Sequence, residues 1–255
     1  MASEPASYRM VFVAAKQGDG DRWHSGHELW RQAAEQSFVA VEFSAYDAIA
    51  ARAALAKERV DFCVLDSRLP LQERSLVLRA TNPTYPRPKI VVAGLAMGIA
   101  ESAIDFVLPA PTDARAAQKL INLCLRTKVP TRALIIDDSA VMRSIVRKVL
   151  SGSKFAFDVA EASDGPAALA YMEQSSIGIV FTDFQMAGMN GLEVLAHIRR
   201  LHPRVAVVII TSSTNDVIAD KAHTAGVFAF LRKPFFSEDV DLVMQKYLQY
   251  HPLAS

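Results

Sequence analysis

Ala133-Leu134-Ile135-Ile136-Asp137-Asp138-Ser139-Ala140-Val141-Met142-Arg143-Ser144-Ile145-Val146-Arg147-Lys148-Val149-Leu150 opens on four apolar residues, breaks at two carboxylates and resumes with a different period. The opening run reads as a strand buried on both faces. After the break, Val141, Met142, Ile145, Val146, Val149 and Leu150 fall on one stripe, with Arg143, Arg147 and Lys148 outside it. That spacing predicts an amphipathic helix over Ser139 to Leu150, with Ser139 as its N-cap.

The same alternation continues downstream. Further strands are expected at Phe157 to Ala160, Ile177 to Thr182, Val205 to Ile210 and Phe228 to Leu231. Helices are expected at Pro166 to Gln174, Gly191 to Arg199, Asn215 to Thr224 and Ser237 to Tyr250. Short β-rich runs separated by longer helical ones build a parallel sheet covered on both faces.

The first half repeats the plan more faintly. Strands are expected at Met10 to Ala15, Val39 to Phe43, Asp61 to Leu65, Lys89 to Ala93 and Asp105 to Leu108, with the firmest helices at Ala45 to Lys57 and Thr112 to Leu125. The chain thus reads as an α/β protein made by internal duplication at a period of about 125 residues. It comprises two flavodoxin-like (βα)5 doubly wound domains with five-stranded parallel sheets, residues 1–127 and 132–255. Pro130 disfavours helix at Val129, which supports a break there. Between Gly94 and Asp105 the first copy is shorter than the second copy between Ser212 and Val227, so a reduced helix is expected there.

Ligands of such sheets bind beyond the carboxyl ends of the strands. In the second half those positions carry Asp137 and Asp138, then Asp183, then Thr211 and Ser212, and finally Lys233 before Pro234. Three carboxylates beside one ammonium leave a formal charge of −2, which a divalent cation would neutralise. Taken singly, each residue has an ordinary alternative. The paired aspartates could cap the next helix, Asp183 could serve a turn, and Lys233 could be solvated. What the alternatives do not explain is the order of the whole set.

That set is Leu134-Ile135-Ile136-Asp137-Asp138-Ser139, Phe181-Thr182-Asp183-Phe184-Gln185-Met186, Met189-Asn190-Gly191-Leu192-Glu193, Ile209-Ile210-Thr211-Ser212 and Phe230-Leu231-Arg232-Lys233-Pro234-Phe235. It resembles the receiver domain of bacterial two-component response regulators, over residues from about 132 to 250. The resemblance implies that Asp183 accepts a phosphoryl group from a histidine kinase or a histidine phosphotransfer protein. It further implies that Asp138, Asp183 and the main-chain carbonyl of Gln185 ligate Mg²⁺, with Asp137 acting through water. Lys233, Thr211 and Ser212 would meet the phosphoryl oxygens, and Thr211 with Phe230 would form the switch. Two departures stand out: Phe230 has no hydroxyl, and Ala187 replaces the proline usual after Asp-x-x-Met.

Laid on that template, the first copy lacks the equipment. Ala14 and Ala15 take the places of Asp137 and Asp138, Ala93 is matched to Thr211 and Leu108 to Lys233, so only Asp66 remains at an acceptor position. Asp66 is therefore expected to cap or turn, and the first copy to be a degenerate pseudo-receiver. His24 and His27, near Asp19 and Asp21, lack a strong zinc spacing and are expected on a helix surface.

Composition sets the remaining bounds. With 51% hydrophobic and 22% charged residues the chain should fold, and a net charge of +1 gives nucleic acid no basic face to bind. The opening lacks a signal-peptide core, no apolar run approaches a membrane span, and Cys63 and Cys124 sit among apolar neighbours, so a cytoplasmic protein with reduced, buried thiols is expected. Little sequence follows Tyr250, so an output module is not expected. The expected function is a phosphorylation-dependent change in association with a downstream protein or a second copy of the chain. A phosphate sink or relay, a phosphorylation-independent scaffold and the regulatory part of a longer effector are the alternatives.

Overall fold

A computed structural model describes residues 7–15, 26–80, 85–94, 103–212 and 221–250. They fall into two compact units divided between Cys124 and Leu125.

In the first unit the elements run β1 (Tyr8–Val13), α1 (His27–Glu35), β2 (Val41–Tyr46), α2 (Ala48–Lys57), β3 (Phe62–Asp66), α3 (Leu71–Leu78), β4 (Lys89–Ala93) and β5 (Phe106–Leu108). Helix α4 (Ala114–Arg126) follows. The second unit continues with β6 (Thr131–Ile136), α5 (Ala140–Ser151), β7 (Phe157–Ala162), α6 (Gly165–Gln174), β8 (Ile179–Asp183), α7 (Gly191–Leu201), β9 (Ala206–Thr211), β10 (Ala229–Arg232) and α8 (Ser237–Tyr250). Each unit holds one five-stranded sheet, ordered β2-β1-β3-β4-β5 in the first and β7-β6-β8-β9-β10 in the second. Every pairing is parallel. The two flavodoxin-like sheets expected from the alternation are therefore present.

Local chemistry explains the element ends. Ser139 accepts a hydrogen bond from Met142 N, Asp47 from Ala50 N and Asp164 from Ala167 N, each satisfying a main-chain donor in a first helical turn. Asn190 and Glu193 form a reciprocal capping box at the start of α7. Asp47 corrects one boundary: Ala45 and Tyr46 belong to β2, because the cap stops α2 from extending back to Ala45. In the same way Asp66 and Asp183 end their strands rather than follow them.

The central strands β3, β8 and β9 are buried along their whole length, which accounts for their unbroken apolar runs. Val180, Val194, Ile198 and Ile209 lie in the core of the second unit, and Val11, Leu55, Leu65 and Val92 in that of the first. Cys63 and Cys124 are fully buried, and burial pushes both thiols up to about 12, leaving neither reactive at neutral pH. No helix among the described residues is long and apolar enough to cross a membrane.

Part of the sequence reading lies outside the described residues: His24, Asp19, Asp21, the reduced segment after Gly94 and most of the Asn215 to Thr224 helix. Residues 221–224 of that last segment are helical.

Candidate functional site

Strand β6 pairs with β7 on one side and β8 on the other, so chain connections leave the sheet in opposite directions at the β6/β8 boundary. A crevice at the carboxyl ends of the strands is the consequence. There Asp137 follows β6, Asp183 ends β8, Thr211 ends β9 and Lys233 follows β10.

Asp137 is 3% exposed and Asp183 9%, while Asp138 faces solvent. Lys233 Nζ lies 2.7 Å from Asp183 Oδ1 and 4.0 Å from Asp137 Oδ2. The second oxygen of Asp183 accepts from Gln185 N at 3.2 Å, and Asp137 Oδ1 accepts from Ser139 N at 2.9 Å. Asp138 Oδ2 accepts from Ala187 N at 3.0 Å, linking the loop after β6 to the loop after β8. Ala187 thus contributes an amide that proline at this position would lack.

Burial raises the Asp137 carboxyl above its ordinary value. The Ser139 amide and the Lys233 ammonium oppose that shift, whereas the charges of Asp183 and Asp138 reinforce it. Excess negative charge held partly out of water is what a divalent cation would relieve, and the carboxylate oxygens of Asp137, Asp138 and Asp183 are the hard donors Mg²⁺ takes. The donor set therefore fits the ion. Among the described residues no three His, Cys, Asp or Glu side chains already form a metal-holding group.

Thr211 is buried at the crevice and Ser212 is exposed beside it. Phe230 is half-buried, packs on the core of the unit and meets the His223 ring edge-on at 5.6 Å between centroids. Sequence inspection missed His223 as its neighbour, since only the fold brings the two together.

Strand register revises the sequence match in the first unit. Asp66 pairs with Ala93 as Asp183 pairs with Ile210, so Gly94, not Ala93, stands where Thr211 does. Ala93 pairs with Leu108 as Ile210 pairs with Leu231, which places Ala110 rather than Leu108 at the position of Lys233. The apolar strand ends carry no marker that would have fixed this offset. Ala14 and Ala15 do occupy the places of Asp137 and Asp138.

Asp66, 5% exposed, is satisfied from within its own loop. Arg68 Nε lies 3.0 Å from Asp66 Oδ1, Nη2 lies 2.5 Å from Oδ2, and Arg68 N donates to Oδ1 at 2.9 Å. Arg68 occupies the position of Gln185, and its bidentate pair supplies the charge that Lys233 gives to Asp183. A Cβ at Gly94 would run into the Ser67 side chain, which fills the space beside Asp66. Of the histidines singled out in the sequence, His27 opens α1 next to Glu28 and joins no metal-holding group among the described residues.

Residues 133–245 match the response regulator receiver domain family. The chain is 32% identical over 121 residues to a protein-glutamate methylesterase/protein-glutamine glutaminase of Treponema pallidum, covering 46% of this chain and 30% of that protein. It is 29% identical over 134 residues to hybrid signal transduction histidine kinase C of Dictyostelium discoideum, covering 48% and 10% respectively. The chain thus spans less than a third of either relative. A solved structure described as a putative two-component system response regulator/GGDEF domain protein aligns over 94% of this chain and 98% of its own, with a TM-score of 0.54 and 19% identity. At that identity the likeness bears on the fold alone. The chain therefore carries two receiver-like folds in tandem, and its residues 133–245 match the response regulator receiver domain family.

Proposed function

We propose that the second unit, residues 132–255, is a phosphoacceptor switch and that Asp183 is the acceptor. The observation that carries this reading is the Lys233 ammonium 2.7 Å from Asp183 Oδ1, next to the buried Asp137 carboxylate. A carboxylate so placed is oriented, charge-compensated and open to the crevice, as a nucleophile for phosphoryl transfer must be.

In the proposed reaction an Asp183 oxygen attacks the phosphorus of a phosphohistidine on a histidine kinase or phosphotransfer protein. A P–O bond forms, the P–N bond breaks, and the imidazole leaves to take up a proton. Asp138, Asp183 and the main chain of Gln185, with Asp137 through water, would hold Mg²⁺, which would supply neutralising charge at the transferred oxygens. Lys233 exchanges its Asp183 partner for a phosphoryl oxygen, and the Thr211 and Ser212 hydroxyls donate to the others. With Thr211 drawn toward the phosphoryl group, Phe230 repacks beside it and alters the face presented to a downstream protein or a second copy of the chain. Such kinases and carriers would place the protein in the cytoplasm.

The first unit, residues 1–127, serves in this reading as a docking or control element that is not itself phosphorylated. Its support is the Asp66–Arg68 pair and the alanines where carboxylates would stand.

The test is incubation of wild type and Asp183→Ala with Mg²⁺ and a small phosphodonor, reading phosphoaspartate and solution mass together. Incorporation lost in the variant, with altered assembly or partner affinity, supports the switch. Incorporation without any such change supports a phosphate sink or relay instead, and no incorporation in wild type overturns the reading in favour of a scaffold.

A further inference from the structure

Six residues beyond Asp137, on the first turn of α5, Arg143 is turned back toward the crevice. Its Nη1 donates to the main-chain carbonyl of Asp137 at 2.8 Å, and its Nε donates to Glu161 Oε2 at 3.1 Å. Glu161, on β7, is held in turn by Arg147, whose Nε lies 2.7 Å from Oε1. The carbonyl that Arg143 grips belongs to the peptide joining Asp137 to Asp138. Since that peptide is planar, fixing its oxygen fixes the direction in which the Asp138 backbone departs. The rest of Asp137 is pinned as well, by the Ala162 carbonyl at 3.3 Å from its N–H and by the Ser139 amide on its side chain.

Resting on the phosphoacceptor reading above, we propose that Arg143, anchored by Glu161, is a positioning residue for the divalent-cation site. It holds the Asp137–Asp138 peptide in the orientation from which both carboxylates serve one ion. It touches neither the ion nor the phosphoryl group.

The first unit provides an internal control. Phe12 pairs with Ala45 as Ile135 pairs with Glu161, so the strand that carries the anchoring carboxylate in the second unit carries alanine in the first. That unit builds the same five-stranded order without the anchor, and it also lacks the paired carboxylates. The clamp accompanies the acidic pair, not the fold. Glu161 is well suited to its task, because the hydrogen bond from Arg147, and secondarily that from Arg143, holds its carboxyl below the usual range.

The experiment is titration of the full chain with Mg²⁺ alone, followed by calorimetry and by the Asp138 amide resonance, for wild type, R143Q, R143K, E161Q and R143Q/E161Q. Outer-shell partners of metal ligands typically contribute about 10- to 100-fold in affinity, so R143Q is expected to weaken Mg²⁺ binding by about that factor. R143K is expected not to rescue it, since one ammonium cannot span the Asp137 carbonyl and the Glu161 carboxylate as a guanidinium fork does. E161Q weakens binding less, and the double variant is no weaker than R143Q. Raising Mg²⁺ to saturation restores phosphoryl acceptance by R143Q. Wild-type Mg²⁺ affinity in R143Q, or a deficit in acceptance that saturating Mg²⁺ leaves in place, overturns the clamp. Should R143Q not fold, E161Q with wild-type affinity does the same. If Mg²⁺ binding responds as expected but wild-type Asp183 takes no phosphoryl group, the clamp stands and the phosphoacceptor reading falls. Absence of Mg²⁺ binding by wild type overturns the clamp itself.

Discussion

Lys233 Nζ bridges two buried carboxylates, at 2.7 Å from Asp183 Oδ1 and 4.0 Å from Asp137 Oδ2, and so couples the proposed acceptor to the acidic strand end beside it. Lys233→Met removes that charge while keeping the length of the stem. Donors aimed at developing charge commonly contribute about 10²-fold or more to rate. The rate of phosphoaspartate formation at saturating Mg²⁺ is therefore expected to fall by about 10²-fold. An unchanged rate would remove Lys233 from the reaction.

The raised Asp137 carboxyl gives a pH dependence with a defined sign. Its folded pKa exceeds its unfolded one, chiefly through burial, so the folded protein binds the extra proton. The contribution to stability is then present below the unfolded value and is lost as pH rises through the folded value. Asp137→Asn, which still offers an oxygen to Ser139 N, is expected to stabilise the second unit at neutral pH by on the order of 1 kcal/mol and to flatten its acid-side stability profile. Mg²⁺ requires the ionised form, so apparent Mg²⁺ affinity in wild type should decline as pH falls through the raised value. Thermal melts at several pH values, paired with Mg²⁺ titrations, check both. A variant less stable than wild type at neutral pH would contradict the argument.

Much of this was legible in the sequence for a specific reason. Parallel strands buried on both faces are written as apolar runs, and the residues ending them must be the ones that line the crevice. Asp137, Asp138, Asp183, Thr211 and Lys233 could thus be placed without coordinates. What could not be read was anything set by register or by loop closure. Gly94 and Ala110, not Ala93 and Leu108, face the first-unit crevice, because Ile90, Val91, Val92 and Ala93 look alike under a shift of one residue. The Ala187 amide on Asp138 and the Arg143 grip on the Asp137 carbonyl involve main-chain atoms, which no residue type announces. Arg68 lay in plain view two residues after Asp66, yet only the turn geometry shows its guanidinium folded back onto that carboxylate.

Arg68 accordingly makes a prediction about the first unit. Asp66 is nearly enclosed whereas the Arg68 side chain is half-exposed, so the pair is screened more than a fully buried one. Arg68→Gln is expected to destabilise the first unit by about 1–2 kcal/mol. Arg68→Gln combined with Asp66→Asn should recover most of that loss, because no uncompensated charge then stays buried. Chemical denaturation of wild type, Arg68→Gln, Asp66→Asn and the double variant measures the cycle. Phosphoryl incorporation at Asp66 in Arg68→Gln would instead mean that the arginine merely masks a competent acceptor.

Two glycines of the second unit distinguish rigid from yielding surroundings. A Cβ at Gly191 would stand 2.6 Å from the Asp183 carbonyl oxygen and 3.0 Å from Phe184 Cα, both main-chain atoms at the proposed acceptor. At Gly165 the obstacle is Met189 Sδ at 2.5 Å, part of a flexible side chain that can turn aside. Gly191→Ala must therefore push α7 away from the end of β8, also straining the bond from Gly191 N to the Phe184 carbonyl. Overpacking of this kind costs about 1–3 kcal/mol, and it moves the backbone that carries Asp183. We expect Gly191→Ala to lose both stability and phosphoryl acceptance. Gly165→Ala should stay within about 1 kcal/mol of wild type, with the helix-forming gain of alanine offsetting the Met189 adjustment. Melting curves and phosphoaspartate yields for the pair decide the matter. Equal effects at the two sites would show that Asp183 is not held in place by the start of α7.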